Sequence, residues 1–469
     1  MKHKIALVSV VGVLVLSVLA CGTSTVTTPT SQPPIVNTPS VVNTPPIVNT
    51  PIVVNTPVTP TSDLVITSTN AFVDTYDTYR VVGEVNNNSS KVLSSIELTI
   101  EIKDASGNSL LKDDNGNLTP NEIFYPMLYT LAPGEASPFE YSYDTTNGTP
   151  ASYNVTITGQ ATGDANRATL QSENVQLMDD GSGSYYLTGE LVNTGSQWAH
   201  INSLAGAVKD DSGNVLSADW TGTYTTELAP TGDAGGRDRT PFEIDFPNPG
   251  GATQWQVYPD SDVSDNVTDY PMVVQVTNSY LDQYGSVHLV GWITNNSDQP
   301  LDTLVVAGLY AADGTVLDAS YAFVPVPVKP GAATPFNISS FGSVNYNPDQ
   351  AALLDTYTVQ PDTGFTSTPY DEFIDLSAPG ESVQKEGATW TFNGTVTNTS
   401  GKSLSSITVL AMVMDAQNNL IAMEYTTIYP TGDAIAAGET NTYSVSVYLD
   451  PAADATGFTT TTLVVGDVK

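Results

Sequence analysis

Between Ile96 and Lys103 the chain alternates strictly. Ile96, Leu98, Ile100 and Ile102 are aliphatic, and Glu97, Thr99, Glu101 and Lys103 are polar. A period of two puts four aliphatic side chains on one face of a strand and four polar ones on the other. The run closes on Asp104-Ala105-Ser106-Gly107. An Asp there bonds the backbone two residues on, and a Gly supplies the positive φ of a tight hairpin. An earlier strand, Tyr79 to Asn87, ends in Asn-Asn-Ser turn chemistry and is expected to pair with it.

This arrangement occurs four times. The opening G-x-[VLI]-x-N-[NT]-[SG] begins at Gly83, Gly189, Gly291 and Gly394, and the closing turn falls at Gly107, Gly213, Gly314 and Asn418. Successive openings lie 106, 102 and 103 residues apart, so one unit has been copied along the chain. A third mark follows each time: Ala132-Pro133-Gly134 then Phe139, Ala229-Pro230 then Phe242, Lys329-Pro330-Gly331 then Phe336, and Ala436-Ala437-Gly438 then Tyr443. Short alternating strands with Gly, Pro and Asn turns, and no helical period, predict antiparallel β-sandwiches of immunoglobulin-like size. The expected organisation is all-β, with four tandem sandwiches at 63–162, 163–265, 266–366 and 367–469. The links are short, so limited bending between them is expected.

Val81-Val82-Gly83-Glu84-Val85 and Leu309-Tyr310-Ala311-Ala312-Asp313-Gly314 carry a family resemblance. With these segments the chain resembles the FxLYD-type domains of bacterial and archaeal envelope proteins, over residues 63–469 as four copies. The resemblance implies a β-sandwich interaction module with no established active site.

The N-terminus reads as a targeting segment. Lys2, His3 and Lys4 precede an apolar run of sixteen residues, Ile5 to Ala20, short of the roughly 20 that span a bilayer. The next residue is Cys21, the only cysteine. This resembles the lipobox of prokaryotic lipoproteins, which implies a signal peptide over 1–21, lipidation of Cys21 and a membrane anchor. Secretion with simple cleavage is the competing reading. With Cys21 so used no internal disulfide forms, and each domain must stand on its core. Residues 22–62 carry no charge, and Val-Asn-Thr-Pro recurs with its Asn at 37, 43, 49 and 55. Proline at that density favours extended chain, so a disordered Thr/Pro-rich stalk is expected.

A net charge of −36 repels nucleic acid and anionic lipid. It raises the question of calcium. Asp260, Asp262 and Asp265 fall between the second and third units, against the plainer reading of a solvated acidic turn. Enzyme chemistry finds no support. His200 and His288 stand alone in separate units, which removes zinc sites and His-based triads, and no spacing singles out a carboxylate pair. Among the 23 tyrosines, pairs such as Tyr125 with Tyr129 and Tyr280 with Tyr284 offer flat platforms for sugar rings. The alternative is that they are strand residues with a polar tip.

The strand face opposite the aliphatic one differs between copies. It carries Thr99, Glu101 and Lys103 in the first, and Ala205, Ala207 and Lys209 in the second. The third has Val306, Gly308 and Tyr310, and the fourth Leu410, Met412 and Met414. The fourth is apolar on both faces, so either it is covered or Leu410, Met412 and Met414 form a partner surface. The functional expectation is a lipid-anchored extracytoplasmic protein, structural or adhesive, that meets an envelope polymer or protein partner. A carbohydrate-binding lipoprotein would need aromatics in line along a sheet. A self-associating surface-layer or filament subunit would need complementary ends.

Overall fold

The computed structural model describes residues 63–469, apart from 164–165, 182, 222–223, 234, 266, 268–270 and 363–372. The described residues belong to one compact unit, 49–469. The signal segment, Cys21, the stalk and the link at 364–369 lie outside them.

The chain is all-β, and the strands of each repeat form two antiparallel sheets. In the first repeat the back sheet is Leu64–Val73, Thr78–Asn87 and Ala136–Asp144. The front sheet centres on Leu93–Lys103, flanked by Glu122–Phe124 on one edge and Ser152–Thr162 on the other. Later repeats keep this plan, with opening strands Ser184–Asn193, Val287–Asn295 and Thr389–Thr397 in the back sheets. Their front sheets centre on Trp198–Lys209, Leu304–Ala311 and Leu404–Met414, each with an edge strand: Val215–Thr221, Val316–Phe323 and Leu420–Ile428. Two short α-helices, Gly342–Tyr346 and Pro348–Ala351, interrupt the third repeat. Neither is long enough to leave a helical period in the sequence.

The alternating run faces the core as its period predicts, and Ile96, Leu98, Ile100 and Ile102 are buried. The expected hairpin between the opening strand and this run does not form. Thr78–Asn87 lies in the back sheet and Leu93–Lys103 in the front one. The motif asparagine explains the crossing. Asn87 is fully buried, and its Nδ2 donates to the carbonyls of Lys91 and Leu131 at 2.7 and 2.9 Å. It thereby holds the chain as it leaves one sheet for the other. Asn193, Asn295 and Asn398 make the same bonds in their repeats.

The opening glycine has an equally local cause. A Cβ on Gly189 would lie 2.8 Å from the Phe242 ring, and one on Gly394 2.6 Å from Cζ of Tyr443. These rings are the aromatics of the third mark, paired across the back sheet with their glycines. The closing turns behave as read: Asp104 Oδ1 accepts the amides of Ser106 and Asn108, and Asp210 and Asp415 do likewise.

Successive repeats dock sheet on sheet. The back sheet of one repeat lies against the front sheet of the next, with Val215–Thr221, Val316–Phe323 and Leu420–Ile428 laid across it. Ala205, Ala207, Ala218 and Tyr258 of the second repeat belong to the same apolar cluster as Val82 of the first. The two sheet faces left at the ends of the stack differ from these. The first front face carries Thr99, Asn154, Thr156 and a Lys103–Glu101 ion pair. The last back face carries Gln384, Thr391, Thr395, Ser444 and Ser446. Polar outer faces of this kind are the usual condition of the terminal members of a repeat array.

Candidate functional site

The residue after each of the first three opening glycines points away from its own core and meets the next repeat. Glu84 Oε2 accepts from Lys209 Nζ at 2.7 Å and from the Tyr258 hydroxyl at 2.6 Å. Burial opposes ionisation of Glu84, but the bonds from Lys209 and Tyr258 and the Lys209 charge outweigh it, so its pKa lies below the usual value. Glu190 accepts from the Tyr310 hydroxyl at 3.0 Å and from Arg239 at 3.2 Å. Trp292 packs on the apolar cluster that contains Met412. The partners Lys209 and Tyr310 each lie four residues before the hairpin glycine of their repeat.

The face carrying Leu410, Met412 and Met414 is therefore not open. Leu410 is fully buried and Met412 is 5% exposed, in one cluster with Tyr280 and Val290 of the third repeat. Thr277 and Asn278 add hydrogen bonds to the carbonyls of Leu420 and Ile421 at 2.7 and 2.8 Å. What covers this doubly apolar strand is the preceding repeat, because the third back sheet has its own apolar outer positions to bury.

The three candidate calcium aspartates do not converge. Asp260 is buried in an ion pair with Arg167 and accepts the Tyr129 amide at 3.1 Å, tying repeat one to repeat two. Asp262 accepts from Asn202 at 3.0 Å. Asp265 is exposed. Among the described residues no three His, Cys, Asp or Glu side chains gather where one ion could be held. His288 is buried, stacked on Tyr280 at 4.8 Å, with Asp282 and Asn337 on its nitrogens. His200 contacts Glu227.

The features the sequence reading missed are clefts where the repeats meet. A cleft of about 400 Å³ between repeats one and two is lined by Tyr125, Pro126, Met127, Glu140, Ser203, Asp219 and Trp220. One of about 260 Å³ between repeats three and four has Tyr321, Phe323, Asn337, Glu424 and Tyr425 in its walls. The two are built alike. Trp220 and Tyr425 hold one register, opposite Ala205 and Leu410, and Tyr321 holds it opposite Val306. Each cleft takes a carboxyl from the residue before that aromatic, Asp219 or Glu424. Each takes a second polar group from the preceding back sheet, Glu140 opposite Val82 or Asn337 opposite Val290. The sequence did hold a signal: Trp220, Tyr321 and Tyr425 each stand seven residues after the turn residue at 213, 314 or 418.

The carboxyls at these boundaries are held toward their neutral forms. Burial raises the pKa of Glu140 and of Asp219, against the opposing charge of Arg80. Burial pushes Glu424 up to about 7 although Asn337 Nδ2 donates to it at 2.9 Å. At the middle boundary Glu243 and Asp318 face each other in a dry site; burial raises both, and the Asp318 charge raises Glu243 further. The aromatics stay wet: Tyr125 is 61% exposed, Trp220 59% and Tyr425 46%. Such a cleft can stack a flat amphipathic ring and hydrogen-bond its substituents.

No family model matches this chain, and no curated protein does. Among solved structures, red sea bream transglutaminase matches at 11% identity and a TM-score of 0.13, over 52% of this chain and 34% of that one. Escherichia coli alpha-2-macroglobulin activated by porcine elastase matches at 11% identity and a TM-score of 0.13, over 88% and 43%. The chain thus spans less than half the length of either. At these scores the likenesses carry no argument about fold or function.

Proposed function

We propose that this is a lipid-anchored extracytoplasmic protein of structural or adhesive function, which holds docked β-sandwich repeats toward an envelope partner. The anchor rests on the sixteen-residue apolar run that ends at the only cysteine, Cys21. Among the described residues no helix is long and apolar enough to cross a membrane. The observation that carries the adhesive role is the repeated boundary, where each repeat is locked to the next and an aromatic remains exposed at a fixed register. The resemblance to FxLYD-type modules supports the same reading. Cys21→Ala should release the protein from the membrane fraction or leave it unprocessed. Unchanged attachment and processing would refute the anchor.

A second reading, capture of carbohydrate, is favoured by the chemistry of the clefts. Exposed Tyr and Trp stand beside Ser, Asn and carboxyl groups there, with no lysine or arginine in the lining of either cleft described.

A further inference from the structure

We infer that the boundary clefts bind a linear, uncharged polysaccharide, a short run of sugar rings in each. This rests on the carbohydrate reading above and adds the place, the ligand class and the way successive sites combine.

The aromatic groups come first. Tyr125 and Trp220 at one boundary, and Tyr321, Phe323 and Tyr425 at another, leave large faces in water. An isolated exposed aromatic calls for no explanation, but the same register occupied by Trp220, Tyr321 and Tyr425 in three successive repeats does. Glu84, Glu190 and Trp292 hold the interfaces beside them, and of the three aromatics only Tyr321 has a ring partner across a boundary among the described residues, Tyr224 at 5.0 Å. The polar lining comes next. Ser203 and Asp219 in one cleft, and Asn337, Ser339, Ser340 and Glu424 in the other, both donate and accept, as sugar hydroxyls do.

Charge narrows the ligand further. The net charge of −36 turns away anionic polymers, and neither lining offers a lysine or arginine to hold one. A polycation meets few free charges: Glu140 already binds Arg80 and Ser142, Glu424 binds Asn337, and Asp219 accepts the Trp220 amide. What remains is a neutral, hydroxyl-rich ring with an apolar face. Because equivalent clefts recur along one chain, a polymer that reaches two of them gains from the second at high effective concentration.

The test uses the detergent-solubilised full chain, so that it does not depend on whether the anchor assignment is right. The tri- and hexasaccharides of cellulose, fully N-acetylated chitin, mannan and laminarin are titrated while tryptophan fluorescence is followed, and their insoluble polymers are used in co-sedimentation. Poly-lysine and polyglutamate serve as charged probes. At least one neutral series should bind saturably, with affinity rising from trisaccharide to polymer. Trp220→Ala and Tyr425→Ala should each weaken binding by about tenfold, the value of one good aromatic contact. Each residue leaves about half or more of its surface in water, so the variants should keep the circular dichroism spectrum of the parent. Failure of all four series, binding of poly-lysine alone, or glycan binding unchanged in the double variant would overturn the inference. In any of those cases membrane fractionation of Cys21→Ala still reports separately on the anchor.

Discussion

Glu84 of the first repeat lies 2.7 Å from Lys209 of the second, and both side chains are about nine-tenths buried. One repeat further on, Glu190 stands in the place of Glu84 and Tyr310 in that of Lys209, joined at 3.0 Å. The docking contact is therefore as much a repeated feature as the sandwich itself. Replacing Glu84 by Ala leaves Lys209 facing a buried gap and should cost about 2–4 kcal/mol in chemical denaturation. The double variant Glu84→Met, Lys209→Met should cost clearly less than the sum of the single changes. Additive costs would show that the two side chains do not interact.

The opening glycines are tested by pairing them with their rings. Gly189→Ala forces a methyl against Phe242 and Val175 side chains, which should cost about 1–3 kcal/mol. Phe242→Leu in the same chain should recover part of that cost. At Gly291 the added Cβ would lie 2.1 Å from the Gln275 carbonyl oxygen. No side-chain change relieves a backbone clash, so Gly291→Ala should be the more damaging of the two. The order of the two denaturation midpoints checks this.

Met412→Glu buries a carboxylate with no partner where the third repeat covers the fourth. It should cost about 3 kcal/mol or more. Thr395→Glu, on the exposed back face of the fourth repeat, should change stability by no more than about 0.5 kcal/mol. Equal effects would mean that the two faces have been assigned the wrong way round.

Glu424 gives a pH dependence of definite sign. Its folded pKa of about 7 lies above the ordinary 4.5. Between those values the folded chain keeps a proton that the unfolded chain has released. Its contribution to stability is thus present in full below about pH 4.5, falls as pH rises and levels off above about pH 7. Over that window Glu424→Gln should gain about 2–3 kcal/mol relative to the parent. A constant difference between the two proteins from pH 4.5 to 8 would refute the assignment.

Much of the fold could be read from the chain, because strand period and turn chemistry act locally. Ile96 to Ile102, Asp104 and the Gly83–Asn87 motif each declare their role within a few residues. The sheet pairing was misread because Asn87 acts at a distance: its Nδ2 bonds Leu131, 44 residues on. The outer strand faces align by register alone, yet that alignment leaves Met412 either covered or open. Burial by a neighbouring repeat and burial by a foreign partner demand the same apolar side chains. The small residues Ala205, Ala207 and Gly308 at matching positions were the sign that close sheet packing recurs at every boundary. The clefts were harder to read, since Glu140, Asp219 and Trp220 come from three strands of two repeats.

The placement of the end strands bears on how the protein carries load. In the first repeat the strand Leu64–Val73 lies in the back sheet and Ser152–Thr162 in the front one. The two are not joined by a hydrogen-bond ladder. Tension applied between the two ends of the first repeat would enter through one sheet and leave through the other. It must then cross the apolar core, where resistance comes from side-chain packing and not from a row of backbone bonds broken together. Such a repeat should yield gradually, its two sheets sliding apart at modest force. The fourth repeat is strung differently: its first described strand, Phe373–Leu376, pairs directly with its last, Thr459–Val468, so a backbone ladder would resist the same pull there and the first repeat would act as the shock absorber.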